Sequence, residues 1–414
     1  MTTVSFRSKT SAASLIARLK KDEHAPMSAM IEIADRCNEV CVHCYQVQGQ
    51  KGEISTGEWK TILDELAEMG VLFLTISGGE ATLRKDFLEL VEHARKRRFA
   101  VKVFTNGLTM TRELAARLGE LAVQEVQISL YSHRAEVHDA ITRVPGSWER
   151  TVSGARHLMD AGCKVVLKSP LMSVNAGEVD AYIDFVSRLG ADYMMDPHID
   201  PREDGDRETE ALRIDDATYL RARRNPRLTT AVAKKGDGKL DRSLCGACSG
   251  NVHVEANGEM RPCTQLTVPV GNALEGVREA WERNADGAAI RSLTWADVHG
   301  CRECDLRPYC SRCFANAQVE AGDALGPYEN ACHRAKLQYE LVHGSAPRIE
   351  AAPELRRDGT IGPYREGADG GFRCVEDVVT EADRARARRY GWIRPTEQLV
   401  QLGRSASGVG LRGD

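Results

Sequence analysis

The sequence predicts an α/β protein, a partial barrel of six β/α units followed by a small cysteine-rich α+β domain. Three observations carry this. Between about residues 29 and 196, short apolar runs rich in β-branched residues alternate with helical ones. That alternation is the pattern of parallel βαβ units. The 13 cysteines fall in groups, most of them between residues 245 and 332, where the texture changes to short strands and turns.

The elements follow in order. Residues 30–33 are apolar enough for a buried strand. Residues 56–69 form an amphipathic helix, with Trp59, Ile62, Leu63, Leu66 and Met69 on one face. Strands are predicted at 71–76, 100–104, 125–130, 163–167 and 192–195, and helices at 87–94, 112–121, 148–159 and 179–189. Gly162 ends the helix before it. Six such units suit a partial (β/α)6, TIM-like barrel, whose chemistry sits at the C-terminal ends of the strands. An acidic loop at 196–206 and a polar helical stretch at 215–235 lead to the linker Gly236-Asp237-Gly238. The expected divisions are an N-terminal extension (1–28), the barrel (29–235), the cysteine-rich domain (236–343) and a charged, Gly-rich tail (344–414) with a helical patch at 376–389. No repeat of 20 to 50 residues is found.

Composition narrows the function classes. The chain has 414 residues, 42 % hydrophobic and 28 % charged, as in a globular protein. A formal charge of -4 gives no bulk reason to expect nucleic-acid or membrane binding. No apolar run reaches the roughly 18 residues that span a bilayer. Residues 1–26 carry Arg and Lys without the apolar core of a signal peptide, so a cytoplasmic location is expected. Grouped cysteines in such a chain point to metal or redox sites before disulfides.

Cys37, Cys41 and Cys44 form C-x3-C-x2-C directly after the first predicted strand. Three thiolates on one tight loop can bind three irons of a 4Fe–4S cube and leave the fourth iron open. An open iron is where a cofactor with amino and carboxylate groups can chelate. The alternative is a structural zinc site with a distant fourth ligand. Ser77-Gly78-Gly79-Glu80 follows the second strand; its glycines allow close backbone approach, and Glu80 can accept from an ammonium.

Together these residues resemble the radical S-adenosylmethionine superfamily over roughly residues 29 to 200. The resemblance implies a barrel whose cluster reductively cleaves S-adenosylmethionine to a 5′-deoxyadenosyl radical. It implies that Gly78, Gly79 and Glu80 hold the methionine amino group and that Ser129 meets the ribose. It places Asn106 as a polar contact, Arg143 at the methionine carboxylate and Lys168 on the same strand-end face. His43 stands where the family more often has an aromatic residue, and its planar ring can fill the place beside the adenine. A solvated surface charge is the alternative for Arg143.

The later cysteines read Cys245-x2-Cys248-x14-Cys263, then Cys301-x2-Cys304-x5-Cys310-x2-Cys313, then Cys332, with Gly258 giving G-x4-C. Eight thiolates suit two cubes or two zinc sites. The order resembles the SPASM domain, the auxiliary-cluster module of many radical S-adenosylmethionine enzymes, although that module's usual third gap is C-x3-C. The resemblance implies auxiliary cluster I on Cys245, Cys248, Cys263 and Cys313, and auxiliary cluster II on Cys301, Cys304, Cys310 and Cys332. With the first site this makes three [4Fe-4S] clusters. Cys163 reads as a small core residue. Cys374, in the tail, is a spectator thiol or a hydrogen-atom donor.

The SPASM resemblance also implies a peptide substrate, in the manner of maturases of ribosomally made peptides that form crosslinks or epimers. The stretch Ser129-Leu130-Tyr131-Ser132, His138-Asp139 and Gly146-Ser147-Trp148 is similar to that branch. Sulfatase-maturase-like and haem-precursor-decarboxylase-like enzymes are the alternatives within the superfamily. Asp196, His198 and Asp200, in the loop after the sixth strand, and Tyr131 are candidate acid/base or substrate contacts. An external electron donor, flavodoxin or ferredoxin, is implied. Only 36 residues precede Cys37, too few for a leader-binding domain of roughly 80 residues. A leader peptide would then meet a helix at 15–19, the basic run at 384–389 or a separate partner protein. An Fe–S electron carrier and a zinc-stapled interaction protein are the rivals outside enzymes.

Overall fold

The structure is a computed structural model that describes residues 26–228, 235–350, 362–375 and 380–383. The helix at 15–19, most of that at 376–389 and the basic run at 384–389 lie outside the described residues.

The first strand, β1 (Ser28–Ala34), opens the expected alternation. Helix α1 (Thr56–Glu68) starts at a capping box, in which Ser55 accepts from Glu58 N and the Glu58 carboxylate accepts from Ser55 N at 2.7 Å. Its buried face is Trp59, Ile62, Leu63 and Leu66. Then come β2 (Phe73–Gly78), α2 (Phe87–Lys96), β3 (Ala100–Thr105), α3 (Arg112–Glu120) and β4 (Glu125–Ser129). Two helices follow, α4 (Ala135–Thr142) and α5 (Ser147–Asp160), then β5 (Val165–Pro170), α6 (Val179–Leu189) and β6 (Asp192–Asp196). Helix α4 was not expected. It exists because Asp139 organises the turn after it, accepting from Gly146 N at 2.6 Å, Ser147 Oγ at 2.8 Å and Trp148 N at 2.9 Å.

Beyond the barrel lie α7 (Asp216–Arg224), the hairpin β7 (Asn251–Val254) and β8 (Met260–Arg261), and helices α8 (Val277–Arg283), α9 (Ala285–Ser292), α10 (Phe314–Ala321) and α11 (Glu329–His343). Strands β9 (Tyr364–Glu366) and β10 (Phe372–Cys374) form an antiparallel hairpin inside the region expected as a tail.

The sheet runs β6-β5-β4-β3-β2-β1-β7-β8. All neighbours are parallel up to β7, and only β7–β8 is antiparallel. The six expected barrel strands are therefore present in sequence order. The cysteine-rich region adds its hairpin to the β1 edge, with Ile31 opposite Val254. One hydrophobic core follows the sheet, from Ile31, Leu74, Val103 and Ile128 through Val252 and Met260 to Phe314. Among the described residues no helix is long and apolar enough to cross a membrane.

Helix α5 crosses the turn after β3 closely. A Cβ at Gly154 would sit 2.5 Å from Gly107 O and 2.9 Å from Met110 Cβ. Gly154→Val should therefore destabilise the fold by about 2–3 kcal/mol through overpacking, read as a lower urea midpoint; an unchanged midpoint would refute this packing.

Candidate functional site

Cys37, Cys41 and Cys44 lie on the loop leaving the C-terminal end of β1. Two loop amides are held by the end of α4, Val40 N by Thr142 O at 3.1 Å and Val42 N by Ile141 O at 3.0 Å. Each sulfur has a side-chain donor near it, and Cys41 Sγ also lies 3.2 Å from the Glu39 carboxylate. Asn106 Nδ2 is 3.9 Å from Cys37 Sγ, Gln48 Nε2 is 3.8 Å from Cys44 Sγ, and the Tyr131 hydroxyl is 3.7 Å from Cys41 Sγ. Burial pushes the Cys37 thiol up to about 12, and Cys41 and Cys44 upward as well. Thiols held this way become thiolates only when a cation supplies the countercharge. Three sulfurs, each with a hydrogen donor, fit an iron–sulfur group.

The glycine pair serves the loop first. Gly78 has φ 145°, and a Cβ there would sit 2.4 Å from Ala34 O. A Cβ on Gly79 would sit 2.5 Å from Arg36 O and 3.2 Å from Cys37 Cβ. The two backbones touch, with Gly79 N donating to Ala34 O at 2.7 Å and Glu80 N to Arg36 O at 2.9 Å. Glu80 requires a correction. Its carboxylate does not face a ligand, being 1 % exposed and bonded to the chain on both oxygens. Oε1 accepts from Thr82 Oγ1 at 2.6 Å and Thr105 Oγ1 at 2.8 Å, and Oε2 from Asn106 N at 2.6 Å. Glu80 thus fixes Asn106, which reaches Asn38 Oδ1 at 2.7 Å.

Ser129 on β4 and Lys168 on β5 are register partners, so they share one face of the sheet. Lys168 Nζ sits 4.0 Å from the centroid of Phe104. Tyr131, a candidate acid/base or substrate contact, is buried beside the loop. Its ring meets His43 edge-on at 4.7 Å and stacks on His138 at 5.3 Å. Burial lowers His43 to about 4, so the ring is neutral at pH 7. His138 accepts from Tyr131 N at 3.1 Å, and Trp148 Nε1 donates to Ser132 O at 3.1 Å. The stretch from Ser129 to Trp148 therefore carries fold contacts. Arg143 is exposed and left-handed, φ 59°, one residue after the helix end that holds the loop.

The loop after β6 turns to the cysteine-rich region. His198 pairs with Arg334 of α11 and with Asp196 at 3.3 Å. Asp200 accepts from Asn316 of α10 at 2.7 Å; burial raises the thiols of Cys263 and Cys313, and the Asp200 charge adds to it. Asp200 alone of the three reaches a cysteine group.

The later cysteines gather in two groups. Cys245, Cys248, Cys263 and Cys313 lie near enough that their charges act on one another. Cys310 and Cys332 stand in the same relation to Cys301 and Cys304. Cys163 is buried in the core. Cys374, expected as a spectator thiol or hydrogen-atom donor in the tail, lies on β10 and packs against the same small core as Cys304, Cys310 and Cys332. Among the described residues, no three cysteine sulfurs lie within 4.8 Å of one another. That is wider than the roughly 3.8 Å sulfur–sulfur edges of a tetrahedron with zinc–sulfur bonds of about 2.3 Å.

Residues 31–186 match the sequence model of the Radical SAM superfamily. The chain carries a radical SAM domain. Such a domain implies S-adenosylmethionine and a 4Fe–4S cluster as cofactors. The mycofactocin maturase MftC of Mycobacterium tuberculosis is 39 % identical over 180 residues, 43 % of this chain and 46 % of that protein. The match thus spans about half the length of the mycofactocin maturases. The AdoMet-dependent heme synthase of Methanosarcina barkeri is 27 % identical over 73 % of this chain and 95 % of its own length. The PqqA peptide cyclase of Rhizobium meliloti is 26 % identical over 78 % and 92 %. Among solved structures, anSMEcpe with bound AdoMet and the Cp18Cys peptide has TM-score 0.59 at 18 % identity, over 77 % of this chain and 97 % of that one.

The radical SAM domain is joined to the cysteine-rich region by a buried ionic hub that sequence reading missed. Glu203, from the loop after β6, accepts from Val47 N at 2.8 Å, and its own amide donates to Tyr45 O at 2.9 Å. Lys51 Nζ bridges Glu203 at 2.9 Å and Glu255 at 2.6 Å. Arg261, two residues before Cys263, bridges the same two carboxylates at 2.8 and 3.0 Å. Buried Glu32 and His253 complete it. These last two and Glu255 form a trio within 4.8 Å, but Lys51 and Arg261 already supply its positive charge. The available signals were Glu32 within an apolar strand and His253 within β7.

Lys51→Met should cost about 3–5 kcal/mol, because it leaves buried carboxylates short of countercharge; a urea midpoint within error of the parent would contradict the hub. Burial raises Glu255, but hydrogen bonds from His253 and Lys51 and the charge of Arg261 outweigh it and hold the carboxyl at about 2. A depressed carboxyl stabilises the fold above its unfolded value near 4.5 and loses that contribution as pH falls toward 2. Stability should decline across that window, and Glu255→Gln should flatten the decline in an acid titration.

Proposed function

We propose that this chain is a radical S-adenosylmethionine enzyme of the SPASM type that modifies a peptide. The observation that carries the reading is the loop of Cys37, Cys41 and Cys44, each sulfur with its own hydrogen donor, seated at the barrel's catalytic end. The three sulfurs would hold three irons of a cube and leave one corner for the cofactor. The reduced cluster would supply one electron to the sulfonium C–S bond of the cofactor, releasing methionine and a 5′-deoxyadenosyl radical that would abstract hydrogen from the substrate. In this reading the carbonyls of Gly78 and Gly79 receive the methionine amino group, Arg143 faces its carboxylate and Ser129 the ribose. Asn106 and Tyr131 hold hydrogen bonds on the cluster thiolates. Hydrogen bonds to sulfur are one of the levers that set a cluster's potential.

Two auxiliary clusters complete the proposal, one on Cys245, Cys248, Cys263 and Cys313 and one on Cys301, Cys304, Cys310 and Cys332. The reductant would be a flavodoxin or ferredoxin in the cytoplasm, and a separate protein would present the leader. Likeness to a maturase and a peptide cyclase supports a peptide, with a crosslink or an epimer as product. A tetrapyrrole is the second reading, supported by the match to 95 % of a heme synthase.

Anaerobically reconstituted protein should bind about 12 irons for three cubes and release 5′-deoxyadenosine when reduced with the cofactor. Cys44→Ala should lose about 4 irons and all of that release. Release by the variant would refute the assignment of the first cluster to this loop. Mass spectrometry of a peptide incubated alongside a porphyrin separates the two substrate classes: two hydrogens lost from the peptide for a crosslink, or unchanged mass with deuterium uptake for an epimer.

A further inference from the structure

The hairpin of β9 and β10 folds over the group of Cys301, Cys304, Cys310 and Cys332. Asp305 N donates to Tyr364 O at 2.8 Å, and Glu366 N donates to Asp305 Oδ2 at 2.9 Å. Arg302, next to Cys301, makes paired bonds of 2.8 and 2.9 Å to the Asp383 carboxylate. These contacts fix the C-terminal segment to the turn that carries two of the cysteines.

The hairpin brings three groups to the thiols. Tyr364 N lies 3.5 Å from Cys304 Sγ. The Tyr364 hydroxyl is buried, with the side chain's residue 1 % exposed, and has no hydrogen-bond partner among the described residues. The Tyr364 ring belongs to the same small core as Cys304, Cys310, Cys332 and Cys374, and Cys374 is its register partner across the hairpin. Cys374 packs with Cys304, Cys310 and Cys332 around Leu306 and Phe372. Its thiol rests against Gly362 O at 3.5 Å. Lys336, one turn after Cys332 on α11, lies beside both Cys332 and Cys374, with Nζ 4.7 Å from the Tyr364 ring centroid. A solvated tail would bury neither a tyrosine nor a fifth cysteine here.

We propose that the hairpin is part of this second auxiliary site and that Cys374 is a fifth thiol ligand, interchangeable with Cys332. The proposal rests on reading the four earlier cysteines as a cluster site. A cube has four iron corners, so with five thiols one is always spare. The exchange balances without an oxidant or reductant. The Cys374 sulfur forms its bond to iron as the Cys332 sulfur–iron bond breaks, the Cys374 proton passes to the departing Cys332 thiolate, and no electron is transferred.

Iron content of the anaerobically reconstituted full chain tests this. Cys332→Ala should keep about 12 irons, and Cys332→Ala with Cys374→Ala should fall to about 8. Cys301→Ala should fall to about 8 with Cys374 intact. If Cys332→Ala alone falls to about 8 while Cys301→Ala does the same, the fifth ligand is refuted and the cluster site stands. If Cys301→Ala loses no iron, the cluster reading of this group fails and takes the proposal with it. A second measurement does not depend on the folding of a ligand variant. Cys374→Ala should surrender 4 of its roughly 12 irons to a chelator about tenfold faster than the parent, and equal rates would overturn the proposal.

Discussion

The cysteine loop is held by backbone against backbone. At Gly78 and Gly79 the end of β2 comes so close to residues 34–37 that a single Cβ would overlap a carbonyl at 2.4–2.5 Å. No side chain can intervene, so the hydrogen bonds Gly79 N to Ala34 O and Glu80 N to Arg36 O fix the loop at its first cysteine. Glu80 extends the same constraint to the third strand, because its carboxylate fastens Thr105 and Asn106. Three strand ends become one rigid frame, and the sulfurs inherit its precision. The loop's far side is set by the last carbonyls of α4, which exists because Asp139 caps the helix that follows.

A second constraint works through charge. Lys51 and Arg261 each bridge Glu203 and Glu255 inside the protein, and the four side chains come from three separate segments. One segment follows Cys44 and another precedes Cys263. Buried ions of this kind are costly to leave unpaired, so the segments are confined to one arrangement. The first cysteine loop and the hairpin that precedes Cys263 are thereby held in fixed relation. The continuous sheet does the same work from below, since β7 hydrogen-bonds directly to β1.

The C-terminal hairpin applies related logic at the other end. Sulfur ligands need a surrounding that excludes water and supplies hydrogen bonds. Beside the group of Cys245, Cys248, Cys263 and Cys313, Asn316 of α10 donates to Asp200 of the loop after β6. For the second group, part of that surrounding comes from a segment whose composition reads as solvent-facing.

The sequence by itself determined what depends on local pattern. The six β/α units, the strand-end position of C-x3-C-x2-C and the Gly78-Gly79 pair were legible, because hydrophobic period, glycine placement and cysteine spacing are properties of short stretches. Only the tertiary structure decided what each side chain faces. Glu80 looked like a ligand contact and proved a strap for Asn106. Tyr131, a candidate acid/base or substrate contact, lies against Cys41. His198 turned to Arg334, and Cys374 left the expected tail for a sulfur group. The ionic hub and the hairpin were invisible for the same physical reason. Their partners are separated by tens to hundreds of residues, and a charge or a thiol carries no mark in the sequence of the neighbour that will neutralise or bind it.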